Sequence, residues 1–366
     1  MSDQASGASA HGYRVLARKY RPRTFADLIG QEAMVRTLAN AFVTGRIAQA
    51  YVLTGVRGVG KTTTARLIAR ALNYPSGPSM DMPELTPTCE AILESRHIDV
   101  IEMDAASNTG VDDVREIIEA VRYAPIESRY KIYIIDEVHM LSKSAFNALL
   151  KTLEEPPPHV KFIFATTEIR KVPVTILSRC QRFDLRRMDG EVLKGLFARV
   201  AEAEKVAIED EALNMIARAA EGSARDGLSL LDQAIAYGGD TVKAADVGAM
   251  LGLSDRGRVI DLFAAVMAGD AAGAAEGIEA QHRSGGDPHT ILSDLADFTH
   301  WVTRLKIAPS SAGDATRSEE ERQRGAEFAA SISIPHLTRA WQMLLKGLKE
   351  IEFAPDALMA AEMVLI

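Results

Sequence analysis

Residues 55–62 read GVRGVGKT and lie between two segments of different character. The residues before them, YVLT (51–54), form a short apolar run that is typical of a buried strand. The residues after them, TTARLIARAL (63–72), repeat apolar side chains at the spacing of an α-helix. A G-x-x-x-x-G-K-T loop between a strand and a helix is the pattern of a phosphate-binding P-loop. The sequence therefore predicts that the chain binds a nucleoside triphosphate.

Each residue type in this loop suits the binding of a triphosphate. Glycines allow successive backbone N–H groups to converge on phosphate oxygens, and the N-terminus of the following helix adds a partial positive charge. Lys61 is expected to reach the β- and γ-phosphates, and the Thr62 hydroxyl to ligate Mg²⁺. A glycine-rich turn with a chance lysine is the alternative, which the flanking strand and helix oppose. The predicted nucleotide-binding residues of this segment are Gly55, Gly58, Gly60, Lys61, Thr62 and Thr63.

A second stretch, YKIYIIDE (130–137), has the Walker B pattern of an isoleucine-rich strand that ends in two acids. Asp136 is predicted to bind the nucleotide through Mg²⁺, and it completes the predicted magnesium site with Thr62. Glu137 is predicted to orient or deprotonate the attacking water. Two acids at a strand end carry little weight alone. Here they follow a P-loop within an alternating strand–helix pattern, which favours the Walker B interpretation.

Three further segments add candidate site residues. The strand VKFIFA (160–165) ends in Thr166-Thr167, where a polar residue could touch the γ-phosphate or the water; a simple strand-end cap is the alternative. The segment PVTILSRC (173–180) predicts a short helix that displays Arg179, for which an exposed cation at a helix end is the alternative. The segment GSARD (222–226) places Arg225 at the start of a helix that is expected to face the first domain.

Composition excludes some classes of protein and leaves others open. The chain has 366 residues, of which 47% are hydrophobic, and this length predicts two or three domains. Its apolar runs are shorter than the ~20 residues of a membrane span, and residues 1–11 lack a signal-peptide pattern. Two cysteines far apart in sequence, Cys89 and Cys180, fit a reducing cytosol. A net charge of −8 neither supports nor excludes a DNA partner.

The order of predicted elements indicates three domains. Alternating strands and helices predict an α/β P-loop domain over residues 1–188, with a parallel sheet covered by helices on both faces. Strands are then expected to disappear, leaving a small helical lid domain over 189–252 and an all-α domain over 253–366. Residues 73–96 are interpreted as an insertion rich in Pro, Ser and Met, and residues 308–327 as a flexible connection.

The ordered set of P-loop, Walker B, strand-end threonine, Ser-Arg-Cys and Gly-Ser-x-Arg-Asp resembles the AAA+ ATPases. Two stretches narrow the resemblance, LARKYRPRTFADLIGQE (16–32) and HIDVIEMDAASNTGVDDVREI (97–117). With LLKTLEEPP (149–157) and the Ser-Arg-Cys segment, they are similar to the gamma/tau ATPase family of the bacterial DNA polymerase III clamp loader. The resemblance covers about residues 13–252 by motif and the third domain by architecture.

The resemblance implies a role for each candidate residue that matches the family pattern. Glu137 would serve the attacking water, and Thr167 would be sensor 1, with Thr166 as the less favoured candidate. Arg225 resembles sensor 2, which reaches the γ-phosphate from the lid domain. Arg179 matches the arginine finger, which would act in trans on ATP bound by a neighbouring subunit.

The resemblance also implies function, cofactors and partners. The chain would be a cytoplasmic ATPase subunit of the DNA polymerase III holoenzyme that uses ATP and Mg²⁺ to load a sliding clamp onto primed-template DNA. Its partners would be the delta and delta-prime subunits, other copies of itself, the clamp and DNA, but no membrane, and the third domain would be an oligomerisation collar. A non-catalytic AAA+ scaffold subunit is one alternative, which the intact Lys61 and Asp136-Glu137 oppose. A translocating motor is another, which the lack of pore-loop aromatic pairs and of a winged-helix pattern opposes.

The sequence departs from the family in the insertion. The family often carries four cysteines there that bind structural zinc tetrahedrally. The matching positions of this chain hold only one thiol, in the order Tyr74, Pro83, Thr86 and Cys89. The sequence therefore predicts no zinc, and Cys89 is expected to be a small buried residue. Packing is expected to hold the insertion instead, through the larger apolar side chains Tyr74, Met80, Met82 and Leu85.

Overall fold

The structure is a computed structural model, and it describes residues 13–239, 241–251, 256–308, 317 and 319–366. Contacts between residues group the chain into two units. The first unit comprises the described residues of Met1–Leu193 and Ala220–Ser229, and the second comprises those of Lys194–Ala219 and Leu230–Ile366. Every residue predicted to act on a nucleotide belongs to the first unit.

The described part of the first unit contains a sheet of five parallel strands: β1 (Ala50–Thr54), β2 (Val100–Asp104), β3 (Lys131–Asp136), β4 (Val160–Thr166) and β5 (Gln181–Asp184). Their order across the sheet is β2-β3-β4-β1-β5, so that β4 separates β1 from β3. The α-helices are α1 (Leu16–Lys19), α2 (Glu32–Val43), α3 (Lys61–Leu72), α4 (Pro87–Leu93), α5 (Val111–Ala120), α6 (Lys143–Glu154), α7 (Val174–Leu177), the start of α8 (Gly190–Glu204) and the start of α10 (Ala224–Gly238). The predicted parallel sheet is confirmed, whereas β5, with one buried apolar residue, was not predicted.

Alternate residues of β1 face opposite sides of the sheet. Tyr51 and Leu53 pack with Ile68 of α3 in one core cluster. Val52 packs with Phe146 of α6 in another. All of β1 is buried, as expected for a central parallel strand that is covered on both faces. Helices therefore cover both faces of the sheet, as the sequence predicted.

The insertion after α3 contains helix α4, which its composition did not predict. The Thr86 side chain accepts a hydrogen bond from the backbone N–H of Cys89, and Pro87 occupies the first turn. A threonine cap followed by proline is a common helix start. The sequence thus carried a local signal for α4 that was obscured by the surrounding Pro, Ser and Met.

Apolar packing holds part of the insertion. Tyr74, Met82 and Cys89 are buried, and Met80 packs partly buried against the core cluster of α3. The expectation that Cys89 is a buried residue is therefore confirmed. The packing role predicted for Leu85 is wrong. Leu85 is 37% exposed, whereas Met82 is 5% exposed.

A buried arginine supplies the rest of the attachment. Arg70 of α3 is 1% exposed, and its guanidinium donates to the carbonyl oxygens of Arg23 (2.5 Å), Met82 (3.1 Å) and Glu84 (2.8 Å). The hydroxyl of Tyr74 accepts a hydrogen bond from the Glu84 N–H at 3.1 Å. The Arg70 side chain therefore ties both the insertion and the segment 16–32, through the carbonyl oxygen of Arg23, to the P-loop helix.

Replacing Arg70 tests this attachment. We expect Arg70→Met to lower the free energy of unfolding by roughly 2–4 kcal/mol, because three carbonyl groups lose a charged donor. Urea unfolding followed by circular dichroism measures the change, and Arg36→Met, on the exposed face of α2, is the matched control. Equal stabilities of the two variants would contradict the role given to Arg70.

Lys161, near the start of β4, is a buried cation at the opposite end of the sheet from the P-loop. The residue is 3% exposed, and its Nζ donates to Gln49 Oε1 at 2.8 Å and lies 5.1 Å from the centroid of the Tyr130 ring. Burial lowers the pKa of Lys161 from its ordinary value of 10.5 to about 8. The folded chain therefore binds fewer protons than the unfolded chain between these two values, and stability rises with pH across that window.

Lys161→Met removes the cost of burying this charge. At pH 7 we expect the variant to be more stable than the wild type, with a free energy of unfolding about 1–3 kcal/mol higher. The difference should shrink as pH rises from 8 towards 10.5, because the wild-type lysine loses its proton in the folded state. Urea unfolding of both proteins at pH 7, 8, 9 and 10 measures this trend, and a difference that does not change with pH would refute the explanation.

The second unit is mainly helical. It contains the rest of α8, then α9 (Asp210–Ala219), the later part of α10 (Ala224–Gly238), α11 (Ala244–Met250), α12 (Arg256–Ala268), α13 (Ala271–Arg283), α14 (Pro288–Ile307), α15 (Glu319–Ser331), α16 (Ile334–Ile351) and α17 (Ala357–Leu365). Two strands, β6 (Ala207–Ile208) and β7 (Thr241–Val242), form a parallel pair. The prediction that strands end with the first domain is wrong for this pair, because two residues are too few to give a periodic signal. Among the described residues, no helix is long and apolar enough to cross a membrane.

The segment 308–327 was predicted to be a flexible connection. Its residues 309–316 and 318 lie outside the described residues. The prediction is wrong for the part that forms α15. A Cβ atom added at Gly325 would lie 2.1 Å from the Trp301 ring, so α15 packs its backbone directly on that ring. A helix with few apolar side chains can be held by such a close approach, which composition does not reveal.

Candidate nucleotide-binding site

The predicted P-loop joins β1 to α3 and requires glycine at three positions. Gly60 has a φ of 98°, in the left-handed region, and caps the N-terminus of α3. Gly58 has a φ of 76°, and a Cβ atom there would lie 1.8 Å from Ser223 Oγ. A Cβ atom at Gly55 would lie 2.7 Å from the Leu185 carbonyl oxygen. The loop can therefore bring its backbone close to its neighbours, and to a phosphate, only with glycines at these positions.

The side chain of Lys61 folds back against the loop that precedes α3. The residue is 6% exposed, and its Nζ donates to the carbonyl oxygens of Gly55 and Val56 at 3.0 Å each. Burial lowers the pKa of Lys61, and the nearby carboxylates of Glu137 and Asp136 oppose this shift. The loop thus holds an ammonium group next to the backbone that would cradle phosphates.

Thr62 and Asp136 meet at the carboxyl edge of the sheet. The Thr62 hydroxyl, in the first turn of α3, donates to Asp136 Oδ2 at 2.5 Å, and Asp136 Oδ1 accepts from the Glu137 N–H at 2.9 Å. A hydroxyl and a carboxylate are hard oxygen donors of the kind that Mg²⁺ prefers, so these residues fit the magnesium site predicted for them. The described residues contain no group of three or more His, Cys, Asp or Glu side chains that could hold a metal ion.

The structure brings Glu137 and Thr167 together. Thr167 follows β4, and its hydroxyl donates to Glu137 Oε2 at 2.9 Å, with its backbone N–H at 3.3 Å from the same oxygen. Glu137 has a φ of 46° and a ψ of 42°, a left-handed conformation that is costly for a residue with a side chain. The hydroxyl oxygen of Thr166, the other candidate, instead lies 3.0 Å from Nδ1 of His139. Of the two threonines, Thr167 is the one that contacts the acid.

Arg225, the second residue of α10, contacts the P-loop with its backbone. Its N–H donates to the Gly58 carbonyl oxygen at 3.4 Å. Ser223 caps this helix by accepting from the Asp226 N–H at 3.1 Å, and it donates to Asp226 Oδ2 at 2.7 Å. The loop GSARD and the P-loop are thus in direct contact.

Arg66 of α3 forms a bidentate pair with Glu102 of β2, at 2.9 and 2.7 Å. Burial lowers the pKa of Arg21. The positive charges of Arg66 and Arg225 lower this pKa further, and the carboxylate of Glu102 opposes the shift.

Arg179 lies apart from this group. It follows α7, and its guanidinium donates to Glu154 Oε1 at 2.5 Å, to the Thr175 carbonyl oxygen at 2.6 Å and to Ser178 Oγ at 3.3 Å. The side chain is 33% exposed. These contacts leave Arg179 at the surface rather than among the residues of the P-loop and Walker B.

Comparison with known proteins identifies the family. The model "DNA polymerase III, delta subunit" matches residues 30–189, "DNA polymerase III clamp loader subunit, ATPase lid domain" matches 193–240, and "DNA polymerase III subunits gamma and tau domain III" matches 242–366. DNA polymerase III subunit gamma of Buchnera aphidicola subsp. Acyrthosiphon pisum is 38% identical over 97% of this chain and 98% of that protein. The chain belongs to the DNA polymerase III gamma/tau family. The resemblance seen in the sequence is therefore confirmed.

Other relatives of this gamma/tau chain are longer. DNA polymerase III subunit tau of Escherichia coli (strain K12) is 44% identical over 97% of this chain but only 55% of the relative. The chain thus spans about half the length of the curated tau relatives it matches. Among solved structures, a Thermotoga maritima RuvB R170A chain is similar over 88% of this chain and 91% of that one, with 18% identity and a TM-score of 0.49. The expected fold class, a P-loop domain with a parallel sheet followed by a helical lid and an all-α domain, is confirmed. The five strands are parallel, the lid model matches residues 193–240, and the described elements from residue 256 onward are helices.

Sequence reasoning missed two side chains at the site of this gamma/tau chain. His139 lies three residues beyond the Walker B aspartate, and Ser223 lies inside a segment chosen for its arginine. His139 contacts Thr166 at the end of β4, and Ser223 lies against Gly58 of the P-loop. These contacts between distant segments could not be read from local spacing.

Substituting two glycines tests the close approach of the P-loop to Ser223. We expect Gly58→Ala to weaken binding of a fluorescent ATP analogue by about tenfold or more, because its Cβ atom would displace Ser223 and the start of α10. Gly45→Ala is the matched control, since Gly45 also has a positive φ (67°) but has no atom within 4 Å of the added Cβ. Equal affinities of the two variants would show that the contact with Ser223 does not shape the loop.

Proposed function

We propose that this chain is an ATPase subunit of a replicative clamp loader, which uses ATP to open a sliding clamp and load it onto primed-template DNA within the DNA polymerase III holoenzyme. The observation that carries the proposal is the joining of Thr62 to Asp136 and of Glu137 to Thr167 at one sheet edge. A non-catalytic scaffold subunit would not need both pairs, so that alternative is not favoured.

The first step of the proposed mechanism is binding of ATP with Mg²⁺. The backbone of residues 55–60 and Lys61 would hold the phosphates, with Thr63 beside them on α3. Thr62 and Asp136 would hold the magnesium ion. When bound, the ion would neutralise charge on the phosphate oxygens. Arg225 would add positive charge from the start of α10, which lies beside the loop.

The second step is activation of water by Glu137. Its carboxylate is fixed by the Thr167 hydroxyl at 2.9 Å, which limits rotation about the last torsion of the side chain. A carboxylate fixed in this way can accept a proton from a water aligned with the γ-phosphate. Thr167 would therefore act as a sensor that couples the end of β4 to the position of the acid.

The third component comes from another subunit. The exposed Arg179 would act in trans on ATP bound by a neighbouring copy, where its charge would stabilise the transition state. Hydrolysis would then depend on assembly. We infer that the partners are delta, delta prime, further copies of this chain, the clamp and primed DNA in the cytoplasm, with no membrane.

We propose the domain division 1–188, 189–252 and 253–366, in which the last domain is the collar that holds the subunits together. The boundaries of the matched family models, 193–240 and 242–366, support a division close to this one. We also propose that the insertion needs no zinc, because Arg70 and Tyr74 supply its attachments.

Two substitutions separate binding from hydrolysis. We expect Lys61→Ala to abolish detectable binding of ATP, because the loop loses its buried ammonium group. Glu137→Gln should bind ATP with nearly unchanged affinity but lose about 100-fold or more in turnover, because an amide cannot accept the proton. Equilibrium binding of a fluorescent ATP analogue and release of phosphate measure the two effects. Full turnover by Glu137→Gln would refute the assigned role.

Assembly provides the test of function. We expect slow turnover by the chain alone and a steep rise with delta, delta prime, the clamp and primed DNA. Arg179→Ala should lose about 10³-fold of the assembled rate while still binding ATP. Arg182→Ala, which removes a neighbouring exposed arginine paired with Asp184, is the matched control. Turnover that ignores both the partners and Arg179 would leave only a P-loop ATPase without a loading role.

A further inference from the structure

His139 is a buried histidine that no sequence motif marked. It lies in the 3₁₀ turn Val138–Met140, directly after the Walker B acids. Its side chain is 7% exposed. The ring contacts three groups, with Nδ1 3.0 Å from Thr166 Oγ1 and 3.3 Å from Glu137 Oε2, and Nε2 3.4 Å from Glu168 Oε1. The imidazole therefore links the end of β3 to the end of β4.

The geometry points to His139 as a positioning residue for Glu137, the acid to which the proposed function assigns the activation of water. The inference rests on that proposed function and adds a residue to it. His139 would act through Glu137 and would touch neither the nucleotide nor the water.

Glu137 combines an unusual backbone conformation with a carboxylate that two groups contact. A left-handed residue with a side chain persists only where surrounding contacts determine its conformation. Two contacts reach the same carboxylate oxygen, Oε2, one from the Thr167 hydroxyl at 2.9 Å and one from His139 Nδ1 at 3.3 Å. They approach from the end of β4 and from the turn after β3, so the two groups hold Oε2 from different elements.

The far side of the ring is also held. Nε2 faces Glu168 Oε1, and that carboxylate is paired with Lys171 Nζ at 2.7 Å. The Glu168 backbone N–H donates to the Thr166 hydroxyl at 3.0 Å, the same hydroxyl that lies against Nδ1. The imidazole thus cannot turn without breaking contacts on both edges. A histidine placed only to fill the core would not need polar partners on two opposite sides of its ring.

Three substitutions of His139 separate positioning from packing. Asparagine places a polar atom near the position of Nδ1 and can keep the contact with Glu137, whereas glutamine reaches the position of Nε2 and can keep the contact with Glu168. Leucine fills similar space without either contact. We expect His139→Leu and His139→Gln to lose about 10- to 100-fold in kcat, with KM and the affinity for a fluorescent ATP analogue nearly unchanged. His139→Asn should recover most of the lost kcat.

The measurement uses the full chain assembled with delta, delta prime, clamp and primed DNA, and each variant is also followed by thermal unfolding. His159→Leu is the matched control, because His159 precedes β4 at the opposite end of the strand from the site. Wild-type kcat in His139→Leu would overturn the inference. Equal losses of kcat, ATP affinity and stability in all three variants would also overturn it, because they would mark a packing residue. Absence of turnover in the wild type would overturn the proposed function itself, and with it the role of Glu137 that His139 supports.

Discussion

The hydrogen bond from Thr62 to Asp136 is the contact on which the rest of the site depends. Its two residues belong to α3 and β3, and β4 lies between β1 and β3 in the sheet. The bond can form only if all three strands end at the same level. The register provides this, because Thr54 of β1 pairs with Thr166 of β4, and Ile135 of β3 pairs with Phe164 of β4. Thr167, just beyond the end of β4, then contacts Glu137, just beyond the end of β3.

Burial explains where polar groups can lie in this sheet. The three central strands, β1, β3 and β4, are buried over most of their length, so the polar side chains of the candidate site lie at or just beyond the strand ends. Two buried cations away from the site differ in how many hydrogen-bond partners replace their lost hydration. Arg70 spreads its charge over three carbonyl oxygens, whereas Lys161 donates to one amide beside an aromatic ring. A buried charge stabilises a fold only when protein partners replace the lost water. Arg70, with three such partners, therefore stabilises the attached segments, whereas the buried charge of Lys161 lowers the stability of the fold.

The sequence predicted those parts of the site that local geometry controls. A P-loop needs glycine, lysine and threonine at fixed spacing, and a Walker B strand ends in its acids, so Lys61 and Asp136 could be assigned roles before the fold was known. His139 could not, because two of its partners, Thr166 and Glu168, lie at the end of β4, far from it in the sequence. The same limit applies to α15, whose glycine packs on the Trp301 ring, and to β5, whose sequence offers a single buried apolar residue. Contacts between distant segments determine all three.

The ion pair of Arg179 with Glu154 differs in kind from the contacts inside the site. Its side chains are 33% and 51% exposed, and exposed pairs of this type contribute only about 0–1 kcal/mol. An arginine in such a pair can therefore exchange its partner at small cost, whereas the buried Lys61 and the partly buried Asp136 are held by hydrogen bonds within the site. A surface arginine suits an interaction that forms and breaks with assembly, because little stability is lost when it leaves Glu154. The separation of a rigid internal site from an exchangeable surface cation is what the proposed hydrolysis across an interface between subunits would require.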